Sequence, residues 1–257
     1  MITTRLNPLY EVKLIEDGRQ HFYKLGTDEK WFPGVTTVLK VIDKPALIQW
    51  ASNTACQNIK EYLMANAINK PLTAEEIEKA CLEGKNIYKK KASEAADLGG
   101  RVHRAIDNII HGGTPDLTED IKPGVEGFLS WMDSHKLKIE LGDTKLGSKL
   151  FGYGGSLDFV AFDGDEAIIF DVKTTKKRRD RDHGAYDEYA YQLAAYCQAF
   201  QETYGVRAKE AYVLWINKEK AEFKAVKVGN LSLSLEGFLA ALKLYQVQKF
   251  DKFEKEM

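Results

Sequence analysis

Two aspartates and a lysine stand out in the stretch GGSLDFVAFDGDEAIIFDVKTT, residues 154–175. Asp158 interrupts one apolar, β-type run, and Asp171-Val172-Lys173 ends a second. Between the runs, Asp163-Gly164-Asp165 has the chemistry of a tight hairpin turn. Side chains alternate faces along a strand, so the hairpin register decides which of them meet. With Asp163-Gly164 as a two-residue loop, Asp158 sits opposite Ile169 and diagonal to Asp171. With Gly164-Asp165 as the loop, Asp158 sits directly opposite Asp171. Both registers put Asp158, Asp171 and Lys173 on one face. Opposed Cβ atoms lie about 4.5–5.5 Å apart, a separation at which two ionised carboxylates repel. A divalent cation relieves that repulsion, and hard oxygen donors with room for water suit Mg²⁺ or Mn²⁺. A lysine on the same face can orient an attacking water or stabilise charge growing on a phosphate. The competing reading is an ordinary ion pair on a solvated sheet face.

Two further groupings carry chemistry. In GGRVHRAIDNII, His103 and Asp107 are four apart and share one helix face, beside a face of Val102, Ile106, Ile109 and Ile110. A single helical histidine is more often a structural hydrogen-bonder than a ligand. In YQLAAYCQAF, Gln192 and Tyr196 are likewise four apart, with Tyr189 on nearly the same face. Aromatic spacing of this kind usually means core packing, but a buried glutamine among aromatics needs hydrogen-bond partners.

The elements that must position these residues follow from periodicity and turn chemistry. LYEVKLI and HFYKL, separated at Asp17-Gly18, read as an N-terminal hairpin. A helix is expected from Ala46 to Ala65, with Trp50, Ala51, Ala55 and Ile59 on its stripe and Trp50 in a core. A helical region opens at Pro71 and Thr73 and ends at Gly112-Gly113, with breaks expected near Gly84 and Gly99-Gly100. Helices are expected over Val125–His135 and Tyr186–Tyr204, the second stopped by Gly205. AYVLWI reads as a core strand returning through EFKAVKV, and an amphipathic helix runs from Leu233 to the end. This order predicts an α/β fold with a mixed central sheet flanked by helices. The expected division is residues 1–96, a hairpin and helical region packed on the core, and 97–257, the core itself.

Composition narrows the classes. Apolar residues make up 44% and charged residues 29%, an ordinary globular balance that supports a core. The net charge is −1, so no global basic field points to nucleic acid. Cys56, Cys81 and Cys197 are widely spaced, which argues against a zinc site or disulfide framework and for free thiols in a reducing compartment. The beginning of the sequence has neither a signal-peptide core nor a transit-peptide composition, and no stretch approaches membrane-spanning length. The expectation is a cytoplasmic protein of a bacterial or phage-infected cell, with no membrane partner.

Taken together, Gly155-Ser156-Leu157-Asp158, Asp171-Val172-Lys173, and Gln192 with Tyr196 resemble the PD-(D/E)xK nuclease superfamily. With Gly100-Arg101-Val102-His103 and an acid at 107 upstream, the pattern is similar to the RecB-type exonuclease branch, which includes the mitochondrial genome maintenance exonuclease and many phage nucleases. The resemblance spans roughly Leu98 to Gly205, and FPGVTTVLKVIDKPALIQWAS is similar to the N-terminal region of phage members. It implies a restriction-endonuclease-like core and Mg²⁺ or Mn²⁺ held by His103, Asp158, Asp171 and the Val172 carbonyl. It further implies Lys173 as the catalytic lysine, Gln192 as an orienting residue and Tyr196 beside it or against substrate. Asp107 stands where many relatives carry Glu, which leaves its reach toward a second metal open. The cysteine set that carries an iron–sulfur cluster in some relatives is missing, so no cluster is expected.

Directly after the motif, Lys176, Lys177, Arg178, Arg179 and Arg181 form a basic run in which a phosphate backbone could be gripped, with Thr174 and Thr175 adding hydroxyls. The alternative for such a run is a solvated loop. The expected activity is hydrolysis of phosphodiester bonds in DNA from single-stranded or frayed ends, serving recombination or repair. A recombination or single-strand-binding protein is a further candidate partner. The helical segments before His103 are expected, by family analogy, to cover the site. The alternatives are an endonuclease on the same scaffold and a non-catalytic nucleic-acid-binding subunit.

Overall fold

The computed structural model describes residues 6–17, 20–66, 71–175, 187–217 and 219–249. In chain order, strands β1 (Val12–Asp17), β2 (Gln20–Leu25) and β3 (Phe32–Pro33) form a small antiparallel sheet. Helix α1 (Val35–Val38) follows with a 3₁₀ turn over Leu39–Val41, then α2 (Pro45–Asn66), α3 (Ala74–Ile110) and α4 (Lys122–His135). The rest of the chain is β4 (Lys138–Ser148), β5 (Tyr153–Asp163), β6 (Glu166–Thr175), α5 (Asp187–Tyr204), β7 (Ala208–Asn217), β8 (Phe223–Lys227) and α6 (Leu231–Lys249).

The large sheet has the order β4-β5-β6-β7-β8, antiparallel throughout except for the parallel β6–β7 pair joined through α5. This is the expected mixed sheet flanked by helices, with one more strand than the periodicity indicates. β4 was hidden because Gly142, Gly147 and a bulge between Ile139 and Leu141 break its alternation. Gly147 has a tertiary reason: a Cβ there would lie 2.2 Å from Leu25 Cδ2, so only glycine lets the N-terminal hairpin seat against β4.

Each face of the sheet has its own core. Phe159 and Phe170 stack in register on one face and meet Phe128 and Trp131 of α4. Val160, Ile169 and Val213 belong to the other core, with Leu193, Tyr196 and Phe200 of α5 and Phe238 of α6. Alternation puts Asp158 and Asp171 on this second face, under α5.

Contacts group the chain into two compact units, Met1–Ile42 with Arg101–Met257, and Asp43–Gly100. Within the second, α2 packs on the first part of α3, where a Cβ at Gly84 would come within 2.4 Å of Ile59. The breaks expected at Gly84 and Gly99-Gly100 do not occur, and α3 is continuous from Ala74 to Ile110. A mid-helix glycine costs about 1 kcal/mol, and at Gly84 the close contact with α2 offsets that cost. Trp50, expected in a core, is 40% exposed.

Candidate active site

The turn settles the register. Asp163 pairs with Glu166, so Gly164-Asp165 is the loop, with φ of +61° at Gly164. A left-handed first loop residue is the II′ pattern that glycine accepts without strain. The β5–β6 ladder then runs to Phe159–Phe170 and stops one pair short of Asp158 and Asp171. Beyond that point β5 keeps its pairing with β4, with a bridge from Gly154 to Gly34, and β6 keeps its pairing with β7, leaving a cleft between β5 and β6. Asp158 fills part of it: its Oδ2 accepts the Val172 N–H at 2.6 Å, in place of a ladder bond. A strand residue directs its N–H and C=O to the same edge, so the Val172 carbonyl also opens on this cleft. The cleft is a cavity of about 200 Å³ lined by His103, Arg104, Asp107, Asp143, Asp158 and Val172, among others.

Asp171 is 3% exposed, and its two oxygens have different partners. Oδ1 accepts from Gln192 Nε2 at 3.1 Å, and the same nitrogen donates to the Tyr196 hydroxyl at 2.9 Å. Oδ2 makes no directed hydrogen bond, although Lys173 Nζ lies 2.5 Å away as an ion-pair partner. The lysine ammonium also lies 5.1 Å from the centre of the Tyr189 ring. His103 Nδ1 faces Asp158 Oδ1 at 3.4 Å. His103 is anchored by its helix neighbours Val102 and Ile106, both buried. On the neighbouring turn, Asp107 is turned to His111, with its Oδ1 3.2 Å from His111 Nδ1.

Burial acts on every charged group here, and the neighbours decide which way each shifts. Burial pushes the Asp158 carboxyl up, but the His103 hydrogen bond, the charges of His103 and Lys173 and the Val172 N–H together hold it below its usual range. Asp171 goes the other way: burial, seconded by the Asp158 charge, outweighs Lys173 and raises it. Burial opposes the charged forms of His103 and Lys173, yet the carboxylates beside them win and both are raised. Burial, with the Asp171 charge behind it, pushes the Tyr196 phenol well up, so it stays a neutral hydroxyl.

The donor chemistry fits a hard divalent cation. Each aspartate has one oxygen pinned by an N–H donor and a second left to a cationic neighbour, Asp158 Oδ1 to His103 and Asp171 Oδ2 to Lys173. Among the described residues no three His, Cys, Asp or Glu side chains are gathered in ligand geometry, and Oδ2 of Asp171 is turned to Lys173.

Of the residues singled out from sequence, the structure brings together His103, Asp158, Asp171, Lys173, Gln192 and Tyr196, with Val172 on the cleft wall and Asp107 one turn along. Thr174 is half-buried at the end of β6, next to Thr175. Lys176, Lys177, Arg178, Arg179 and Arg181 lie outside the described residues. Sequence reasoning missed three neighbours: Arg104 and Asp143 in the cleft wall, and Tyr189 beside Lys173. Only Tyr189 left a trace, through its spacing from Gln192.

Residues 135–257 match the model of the PD-(D/E)XK nuclease superfamily. The fold is also similar to two solved structures. One is SSO0001, at 12% identity and a TM-score of 0.34 over 76% of this chain and 87% of that one. The other is an alkaline exonuclease, LHK-Exo, from Laribacter hongkongensis, at 13% identity and a TM-score of 0.31 over 62% of this chain and 91% of that one. No curated protein matches the chain in sequence.

Proposed function

We propose that the protein is a Mg²⁺- or Mn²⁺-dependent nuclease that hydrolyses DNA phosphodiester bonds, working from single-stranded or frayed ends. The observation that carries this reading is the end of the β5–β6 ladder one pair before Asp158 and Asp171, with Lys173 on the same face and one oxygen of each aspartate held by an N–H donor. The superfamily match over residues 135–257 supports the reaction class. The preference for DNA ends rests on the RecB-type sequence pattern.

His103, Asp158, Asp171 and the Val172 carbonyl would hold the cation, which when bound lowers the pKa of a water and neutralises charge on the phosphate. The chain's own residues do the rest. The Val172 N–H and Gln192 fix one oxygen of each aspartate, so both carboxylates present the other in a set direction. Tyr196 fixes Gln192 in turn. Lys173, held charged by the two aspartates, can orient the attacking water or stabilise the developing phosphate charge. The basic run after Thr175 supplies backbone contacts that position a strand without reading its sequence.

The test is cleavage of end-labelled linear single-stranded DNA with Mg²⁺ or Mn²⁺, beside a closed single-stranded circle and the Lys173→Ala variant. The reading expects linear DNA to shorten, the circle to survive and the variant to be inactive. A cut circle assigns an endonuclease instead. Full activity in Lys173→Ala removes the lysine from the mechanism.

A further inference from the structure

We propose that Tyr189 is a positioning residue for Lys173, its ring holding the ammonium when Asp171 is otherwise engaged. The inference rests on the nuclease reading of Lys173 and deepens it.

Lys173 has two neighbours of quite different kinds, the Asp171 Oδ2 at 2.5 Å and the Tyr189 ring with its centre at 5.1 Å. The ring is itself braced. Trp215 packs against it edge-on, with centroids 5.7 Å apart and planes at 68°. Trp215 is also the residue directly beside Lys173 in the parallel β6–β7 register, and it is 5% exposed. The lysine, the ring and the brace are thus set by one strand pair and the first turn of α5. Gln192 lies one turn further along the same helix and holds the other oxygen of Asp171. One helix therefore touches both sides of the Asp171–Lys173 pair.

The need for a second partner follows from the donor set. Gln192 holds Oδ1 of Asp171, so Oδ2 is the oxygen a cation would take, and it is the oxygen that now holds Lys173. An ammonium on a flexible four-carbon stem, released from its carboxylate beside a like charge, would swing away from the cleft. An aromatic face within about 6 Å of the charge attracts it electrostatically, more strongly where water is sparse, and takes no metal ligand in exchange. Lys173 is 23% exposed, so water competes only partly. The ring thus keeps the ammonium at the cleft without neutralising it, as a group that must act on a phosphate requires. The attraction comes from the ring face, so phenylalanine should serve as well as tyrosine, and an aliphatic residue should not.

The direct readout is the Lys173 side-chain resonance in protein labelled with ¹³C at the lysine Cε, assigned by its absence in Lys173→Ala. The proposal expects its Hε signals upfield of the other lysines through the ring current, both without metal and with saturating Mg²⁺. Tyr189→Leu should return them to the common lysine position, and Tyr189→Phe should keep the shift. In cleavage assays Tyr189→Leu should lose roughly tenfold in kcat with KM little changed, while Tyr189→Phe stays within about twofold of the parent. The remaining lysine signals check that Tyr189→Leu is folded; if it is not, the parent shift and its persistence in Mg²⁺ still decide the matter. An active parent whose Lys173 signal is unshifted, is lost to the common position on adding Mg²⁺, or is unmoved in Tyr189→Leu overturns the proposal. A parent that cuts no DNA yet shows the full set of shifts refutes the nuclease reading and leaves the ring contact standing.

Discussion

Replacing Gln192 with leucine removes one nitrogen that serves two acceptors. Gln192 is 6% exposed, and its Nε2 donates to Asp171 Oδ1 at 3.1 Å and to the Tyr196 hydroxyl at 2.9 Å. Leucine keeps most of the volume and donates nothing. Asp171 is too deeply buried for water to replace the bond readily. A hydrogen bond to a charged acceptor contributes about 1.5–3 kcal/mol and one to a neutral hydroxyl about 1, so Gln192→Leu should destabilise the protein by roughly 2–4 kcal/mol. If the charge on Asp171 supplies the larger share, the cost must shrink when that charge is removed. In an Asp171→Asn background the same change should cost about 1–2 kcal/mol less. The assay is metal-free urea denaturation of the four proteins of this cycle, followed by tryptophan fluorescence, with Trp131 and Trp215 both buried in the sheet unit. Far-UV circular dichroism must give the same midpoint for the comparison to be two-state. Single changes that add to within about 0.5 kcal/mol would refute the reasoning, because the glutamine would then be packing against the aspartate rather than bonding to it.

Other expectations are simpler to state. Gly155→Ala puts a Cβ 2.4 Å from Tyr196 Cε1 and should displace that ring, costing about 1–3 kcal/mol of stability and most of the cleavage activity. Gly164→Ala meets open space but a φ of +61°, so it should cost only about 1 kcal/mol in denaturation and leave cleavage unchanged. Arg104 lines the cleft and makes no hydrogen bond or ion pair with any described residue. Arg104→Gln should therefore lower the salt slope of single-stranded DNA binding by about 0.7. Arg207→Gln, beside a separate cavity at the far end of β7, should leave that slope unchanged. Burial pushes the Cys197 thiol up to about 12, while Cys56 and Cys81 are exposed. Cys197 is half-buried, so a thiol reagent at pH 8 should modify Cys56 and Cys81 first and Cys197 more slowly, its raised pKa leaving little thiolate.

Features that depend on local spacing were legible in the sequence. Alternation alone put Asp158, Asp171 and Lys173 on one face, because the side-chain period of a strand is two in any fold. A spacing of four put Gln192 next to Tyr196 on α5, and the structure joins them by a hydrogen bond. Gly205 ended α5 with a φ of +71°, a conformation glycine adopts freely. The glycines at 84, 142 and 147 misled, because composition cannot distinguish a glycine that ends an element from one that lets another element approach. Gly84 admits α2 and Gly147 admits the N-terminal hairpin, so one looked like a helix break and the other helped hide β4.

The sequence by itself determined the residues that can do chemistry and the face or helix side each occupies. Tertiary structure alone decided between the two hairpin registers, separated β5 from β6 one pair before the aspartates, and brought His103 within 3.4 Å of Asp158 across 55 positions. It also set the Tyr189 ring beside Lys173, braced by a tryptophan from the neighbouring strand. Periodicity describes a chain relative to its own axis. Distances between elements depend on how their side chains fit together, and that fit is a property of the packed whole.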